Sequence, residues 1–108
     1  MSTISTHVLD TSLGKPAAGV RVAFEQDDGQ TIASSVTDAN GRIASFEAGE
    51  IAAGSYKLRF DSAEYFTKTN RPVFYPEVVV SFRVEAADEH FHIPLLLSPF
   101  GYSTYRGS

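Results

Sequence analysis

At 108 residues the chain has the length of one domain, spanning 1–108, and is too short for two. It contains no cysteine, which excludes disulfides, a thiolate metal site and a cysteine nucleophile. A net charge of -4 without a Lys/Arg cluster argues against nucleic acid or an anionic membrane surface as partner, and no apolar run approaches the roughly 20 residues that span a bilayer.

A chain of this size buries roughly two-thirds of its unfolded surface, enough for one core but not for a deep internal cavity. A small-molecule site is therefore expected on a rim or between subunits. The start, Met1-Ser2-Thr3-Ile4-Ser5-Thr6-His7, has neither a positive n-region nor an apolar h-region, so the expected compartment is the cytoplasm.

Period-two alternation recurs from the first residues onward. Ile4, Thr6 and Val8 oppose Ser5, His7 and Leu9; Val20, Val22 and Phe24 alternate with Arg21, Ala23 and Glu25. Turn chemistry separates the runs at Gly14-Lys15-Pro16, Asp27-Asp28-Gly29 and Asn40-Gly41, the last a strong hairpin signal with Arg42 opening the next strand. Tyr56, Leu58 and Phe60 alternate with Lys57 and Arg59. One segment breaks the pattern. Residues 61–68 read as a short helix capped by Asp61 or Ser62, with Ala63, Phe66 and Thr67 on one face and its end before Arg71-Pro72. Strands resume with Val78, Val80, Phe82 and Val84 set against Val79, Ser81, Arg83 and Glu85.

The last strand, His90-Phe91-His92-Ile93-Pro94-Leu95-Leu96-Leu97-Ser98, puts Phe91, Ile93, Leu95 and Leu97 inward and leaves Leu96 outward beside Pro94. Followed by Pro99-Phe100-Gly101-Tyr102, this is an outward apolar patch: a subunit interface, or a strand end covered by its own tail. The whole pattern predicts an all-β fold, an antiparallel sandwich of about seven to eight strands with one short helix.

Histidine is the side chain most readily tuned for acid–base work near neutral pH, and the chain has three: His7, His90 and His92. His7 and His92 fall on outward faces of terminal strands, where each reads either as a surface residue or as half of a site at a subunit boundary. His90 and His92 form a His-x-His pair with both rings on one side of a strand. Such a pair can hold a metal, but the sequence offers no clear third ligand, so no metal or other cofactor is expected. His90, following Asp88-Glu89, reads as a solvated residue at the strand entry. Serines lack a Gly-x-Ser-x-Gly elbow, and phosphate-binding glycine motifs are missing. Arg42 is either a solvated hairpin arginine or a fixed cation whose guanidinium fork suits a carbonyl-rich or anionic ligand. The segment Ser103-Thr104-Tyr105-Arg106-Gly107-Ser108 is aromatic and basic where chain ends are usually frayed and polar.

Several separated motifs together resemble those of the 5-hydroxyisourate hydrolases, the transthyretin-related enzymes. They are Ser5-Thr6-His7-Val8-Leu9-Asp10, Phe74-Tyr75-Pro76-Glu77, His90-Phe91-His92-Ile93-Pro94-Leu95-Leu96-Leu97-Ser98-Pro99 and Tyr105-Arg106-Gly107-Ser108. The resemblance covers essentially the whole chain. It implies a transthyretin-like sandwich assembled as a homotetramer, with sites at the dimer–dimer interface. It also implies hydrolytic ring opening of 5-hydroxyisourate, a small-molecule substrate of urate degradation. The catalytic residues it implies are His7, Arg42, His92 and Ser108. His7, Arg42, Tyr105, Arg106, Gly107 and Ser108 would bind substrate.

Two other readings compete. A non-catalytic carrier of the transthyretin type has the same fold, but carriers lack the catalytic histidines and the Tyr-Arg-Gly-Ser motif. An adhesion or scaffold module is suggested by Gly19-Val20-Arg21-Val22, Thr37-Asp38-Ala39-Asn40-Gly41-Arg42 and Gly54-Ser55-Tyr56-Lys57-Leu58, a pattern shared by sandwich domains of bacterial surface proteins.

Overall fold

Alternating strands can bury only one face each, and here two sheets bury theirs against one another. A computed structural model describes residues 2–85 and 89–108; Met1 and residues 86–88 lie outside the described residues, including Asp88 of the acidic entry to the last strand. The strands are β1 (Thr3–Asp10), β2 (Lys15–Pro16), β3 (Arg21–Gln26), β4 (Thr31–Val36), β5 (Arg42–Ile43), β6 (Gly54–Phe60), β7 (Val78–Val84), β8 (His90–Ser98) and β9 (Gly101–Thr104). One helix, α1 (Ser62–Lys68), interrupts them.

One sheet runs β2-β1-β8-β9, with the short β5 also on β1; the other runs β4-β3-β6-β7. The pairings are antiparallel except β1 with β8, which run parallel with Ser5 opposite His92 and His7 opposite Pro94. Between the sheets Ile4, Val8, Val22, Phe24, Leu58, Phe60, Val78, Val84, Leu95 and Leu97 are fully buried. Each such side chain contributes about 1.5–3 kcal/mol by leaving water. The inward alternation expected for β1, β3, β6, β7 and β8 is thus the alternation observed.

Three local expectations differ. The Asn40-Gly41 turn closes with Gly41 N–H donating to Asp38 O, but it does not join two strands of one sheet. β4 before it pairs with β3, whereas β5 after it pairs with β1, so the turn carries the chain across the sandwich. Glu25, placed outward by alternation, is only 4% exposed. It keeps the outward face, opposite Lys57 in an unbroken β3–β6 register, and is covered there by Arg59, which satisfies its carboxylate at 2.9 and 3.2 Å. In α1 the cap is Asp61, which accepts from the Glu64 amide, and the buried face is Ser62, Tyr65 and Phe66. Tyr65 takes the place expected of Ala63 and Thr67 because its hydroxyl finds a buried acceptor, Asp10, at 2.7 Å.

No helix among the described residues is long and apolar enough to cross a membrane.

Candidate active site

The outward face of the β2-β1-β8-β9 sheet collects all three imidazoles of the chain because of register. Period-two geometry puts Thr3, Ser5 and His7 of β1 on that face together with His90 and His92 of β8. On the other side of β1, Arg42 of β5 is the direct partner of His7.

The backbone at Arg42 is held from several sides. Asp38 Oδ1 accepts from the Arg42 amide at 3.0 Å and from the Asn40 amide at 2.8 Å, and the Asp38 amide donates to Arg42 O at 2.9 Å. The Arg42 amide bond is the largest influence on the Asp38 carboxyl, which it holds below the usual carboxylate range. Val8 N–H donates to Gly41 O at 2.7 Å, anchoring the turn to β1. An exposed arginine thus stands on a fixed base, which limits the entropy lost when its guanidinium engages a ligand.

Against this base lies a cleft of about 240 Å³ lined by Ser5, Thr6, Arg42, His90, His92 and Ser108, with Ile43 and Ala44 at its wall. His92 Nδ1 is taken by Ser5 Oγ at 2.7 Å, which leaves Nε2 as the ring nitrogen available to the cleft. Burial is the main force pushing the His92 imidazole below its ordinary pKa, and the positive charges of Arg42, His90 and His7 add to it. A neutral imidazole is the form that can take a proton from water. Residue 107 closes the cleft from one side: Gly107 N–H donates to His92 O at 2.8 Å, bringing Ser108 to the rim. His7 stands beside the cleft, and its Nε2 is the one buried side-chain polar atom without a hydrogen-bond partner among the described residues. An unpaired group of this kind costs about 1–3 kcal/mol, so its retention calls for a use.

Residues 4–107 match the HIUase/Transthyretin family. A 5-hydroxyisourate hydrolase of Caulobacter vibrioides is 45% identical, with the match covering 100% of both chains. The chain belongs to the HIUase/Transthyretin family.

Solved structures of that family superpose closely. The Klebsiella pneumoniae 5-hydroxyisourate hydrolase does so with a TM-score of 0.89 at 42% identity, covering 98% of this chain and 99% of that one. Sea bream transthyretin in complex with thyroxine gives 0.86 at 32% identity, covering 96% and 93%. The transthyretin-like sandwich read from the sequence is therefore the fold.

Of the residues singled out in the sequence, the structure gathers Arg42, His92 and Ser108 at one cleft, with Gly107 behind His92 and His7 alongside. It does not bring Tyr105 or Arg106 into that cleft. They line a separate groove of about 270 Å³ with Phe91 and Arg83, where Arg106 pairs with Glu89 at 2.8 Å and covers the Phe91 ring at 4.8 Å. The physical reason is register: the pairing of β9 with β8 continues to the bridge of Gly107 with His92, which sets Arg106 opposite Ile93, on the side of Phe91 and Ile93 and not on that of His92. Sequence reasoning missed Ser5 and left His90 as a solvated residue. Both are in the cleft, and the His-x-His spacing was the available signal for His90. No signal marked Ser5, because its partner lies on a strand more than eighty residues away. Among the described residues no group of three or more His, Cys, Asp or Glu could hold a metal.

Proposed function

We propose that this member of the HIUase/Transthyretin family hydrolyses 5-hydroxyisourate to 2-oxo-4-hydroxy-4-carboxy-5-ureidoimidazoline. The observation that carries the reading is the convergence of Arg42, His92 and Ser108 on one cleft. Relatives more than 40% identical bear the hydrolase name, whereas the transthyretin neighbour is 32% identical.

In this reading water attacks the amide-like ring carbonyl, a histidine takes its proton, and the ring C–N bond breaks as nitrogen receives a proton. His92 or His7 acts as base; general-base assistance of this kind is worth about 10²–10⁴-fold. Arg42 holds substrate oxygens and stabilises the charge that develops on the carbonyl, a role for which its fixed backbone is suited. Gly107 and Ser108 close the cleft over the substrate. Tyr105 and Arg106, remote from the cleft of their own chain, serve by anchoring this segment or by meeting the site of another subunit in a homotetramer. Action in the cytoplasm belongs to the same proposal.

The test is ultraviolet decay of freshly generated 5-hydroxyisourate with the wild type, Arg42→Ala, His7→Ala, His92→Ala and a variant lacking residues 105–108. Each substitution should lower the rate by about 10²-fold or more while the protein stays folded. Near-wild-type rates in all variants would overturn the site. A folded wild type without activity would overturn the hydrolase and favour the carrier.

A further inference from the structure

A line of hydrogen bonds runs along the outer sheet face and ends in the cleft. Thr3 Oγ1 lies 2.5 Å from His90 Nδ1, His90 Nε2 lies 2.9 Å from Ser5 Oγ, and Ser5 Oγ lies 2.7 Å from His92 Nδ1. The register creates it, since parallel pairing sets Thr3 beside His90 and Ser5 beside His92. The planes of the two imidazoles are nearly parallel, 14° apart with centroids separated by 6.5 Å. The line has a wet end and a dry one: His90 is exposed, while Ser5 is 5% exposed.

Ser5 has a single hydroxyl proton and touches two ring nitrogens, so it donates to one and accepts from the other. A neutral imidazole likewise carries one N–H and one lone pair. The three groups therefore share two consistent settings. In the first, Ser5 donates to His90 and accepts from His92 Nδ1–H, and His92 Nε2 offers a lone pair to the cleft. In the second, Ser5 donates to His92 Nδ1, and His92 Nε2–H becomes a donor. Hydrolysis of an amide needs first a base and then an acid, and these settings supply both without any ring turning over.

We propose that Ser5 and His90 form a proton relay that carries the proton taken up by His92 to the exposed start of β8 and back. The inference rests on the hydrolase reading. As the water oxygen bonds to the carbonyl carbon, its proton passes to His92 Nε2. The Nδ1 proton of His92 moves to Ser5 Oγ, and the Ser5 proton moves to His90 Nε2, leaving His90 as the imidazolium. When the ring C–N bond breaks, the Nε2 proton of His92 goes to the departing nitrogen. Ser5 then returns a proton to His92 Nδ1 and recovers its own from His90. No proton is gained or lost by the relay over the cycle.

Electrostatics favours the arrangement. An imidazolium kept at His92 would sit by Arg42 of β5 and His7 of β1, both positive or able to become so, whereas His90 lies toward solvent. Glu89, next to His90, is engaged by Arg106. Ser5 and His90 are positioning residues here; they act through His92.

The experiment compares wild type, Ser5→Ala, Ser5→Thr and His90→Gln in steady-state hydrolysis of 5-hydroxyisourate, with ¹⁵N NMR titration of the histidine rings in substrate-free protein. His90→Gln changes an exposed side chain and keeps a hydrogen-bonding partner for Ser5, so it reads proton carriage apart from folding. Ser5→Ala and His90→Gln should each lower kcat by about tenfold or more with KM within about twofold, and Ser5→Thr, which keeps the hydroxyl, should retain the rate. In wild type the His90 and His92 titrations should be coupled, and Ser5→Ala should separate them. Full kcat in both Ser5→Ala and His90→Gln, or independent titration in wild type, overturns the relay. A wild type inert toward 5-hydroxyisourate instead removes the hydrolase reading, and the ring titrations then still decide whether the two histidines are linked.

Discussion

Gly107 packs directly against His92, and the two are tied by a hydrogen bond from the Gly107 amide to the His92 carbonyl at 2.8 Å. A β-carbon at residue 107 would lie 2.5 Å from His92 Cδ2 and 3.2 Å from Pro94 Cγ. The ring that faces the cleft and the segment that closes it thus share one van der Waals contact. Gly107→Ala must move one of them. The expected outcome is a fall in kcat/KM of about 10²-fold, the scale of a displacement near 1 Å in a catalytic group. The thermal midpoint should stay within about 2 °C, because the segment lies outside the core. Activity and melting measured on the same preparation check both halves.

A different device secures the far end of β1. Asp10, fully buried, accepts from Arg71 at 3.2 and 2.5 Å, from Tyr65 and Ser12 at 2.7 Å each, and from the Leu13 amide at 3.1 Å. Arg71 in turn lies over the Tyr65 and Phe66 rings at 5.4 and 5.1 Å. Asp10→Asn leaves that guanidinium without its counter-charge and should cost about 3–5 kcal/mol. Hydrolysis at low temperature should survive, since the cluster lines no part of the cleft. Burial alone would raise the Asp10 pKa, but the bonds from Arg71, Tyr65, Ser12 and Leu13 outweigh it and hold the carboxyl well below the ordinary range. Tyr65 moves the opposite way, to about 12, through burial and the same carboxylate. A depressed folded pKa gives stability that is complete above the ordinary aspartate range and lost as pH falls through the folded value. Urea midpoints measured across acidic pH should therefore fall steeply for wild type and more shallowly for Asp10→Asn.

What the sequence discloses follows from the reach of its signals. Alternation is local, so it assigned His7, His92, Val8 and Leu95 to the correct faces. Partnership is not local. That Ser5 meets His92 depends on parallel pairing between β1 and β8, the first and next-to-last strands, and nothing within either strand encodes that register. The Asn40-Gly41 turn shows the same boundary: its chemistry marks a reversal of the chain, but whether both arms enter one sheet is decided by β1, which draws Arg42 and Ile43 to itself. Periodicity gave Glu25 its outward face but not its burial, which comes from Arg59 on another strand, and it missed Tyr65 because the buried acceptor of that hydroxyl, Asp10, lies on β1. Resemblance, by contrast, reaches across the chain, which is why it named Arg42 and Ser108 when spacing alone left them open.

His92 should impose a recognisable pH profile. Burial, then the positive charges of Arg42, His90 and His7, lower its pKa, so the neutral imidazole persists below the ordinary histidine range. If His92 is the base, kcat/KM should hold through neutral pH and fall only below the value of a free histidine, about 6.5. Arg42→Gln removes one of the repelling charges and should move that acid limb upward, in addition to lowering the rate. The same depression means that His92 contributes stability above the ordinary range that is lost as pH falls through its folded value. An acid limb that stays in place in Arg42→Gln would assign it to another group, with His7 the next candidate.

Gly41 determines where Arg42 stands. Its φ of +74° is a left-handed conformation that side chains rarely adopt, and a β-carbon there would lie 2.4 Å from the Val8 carbonyl oxygen and 3.1 Å from the Ala17 nitrogen. Both obstacles are backbone and cannot swing aside. Gly41→Ala should therefore combine conformational strain of about 1–3 kcal/mol with a forced retreat of the turn from β1. The retreat pulls at the hydrogen bond from Val8 to Gly41 O and carries Arg42 with it, so kcat/KM should drop by about tenfold or more. Gly14 is the control: its φ of +70° is similar, but nothing lies within 4 Å of an added β-carbon. Gly14→Ala should show the conformational cost alone, with activity unchanged. Equal activity in the two variants, measured by 5-hydroxyisourate decay below both melting points, would mean that Arg42 does not depend on this turn for its place at the cleft.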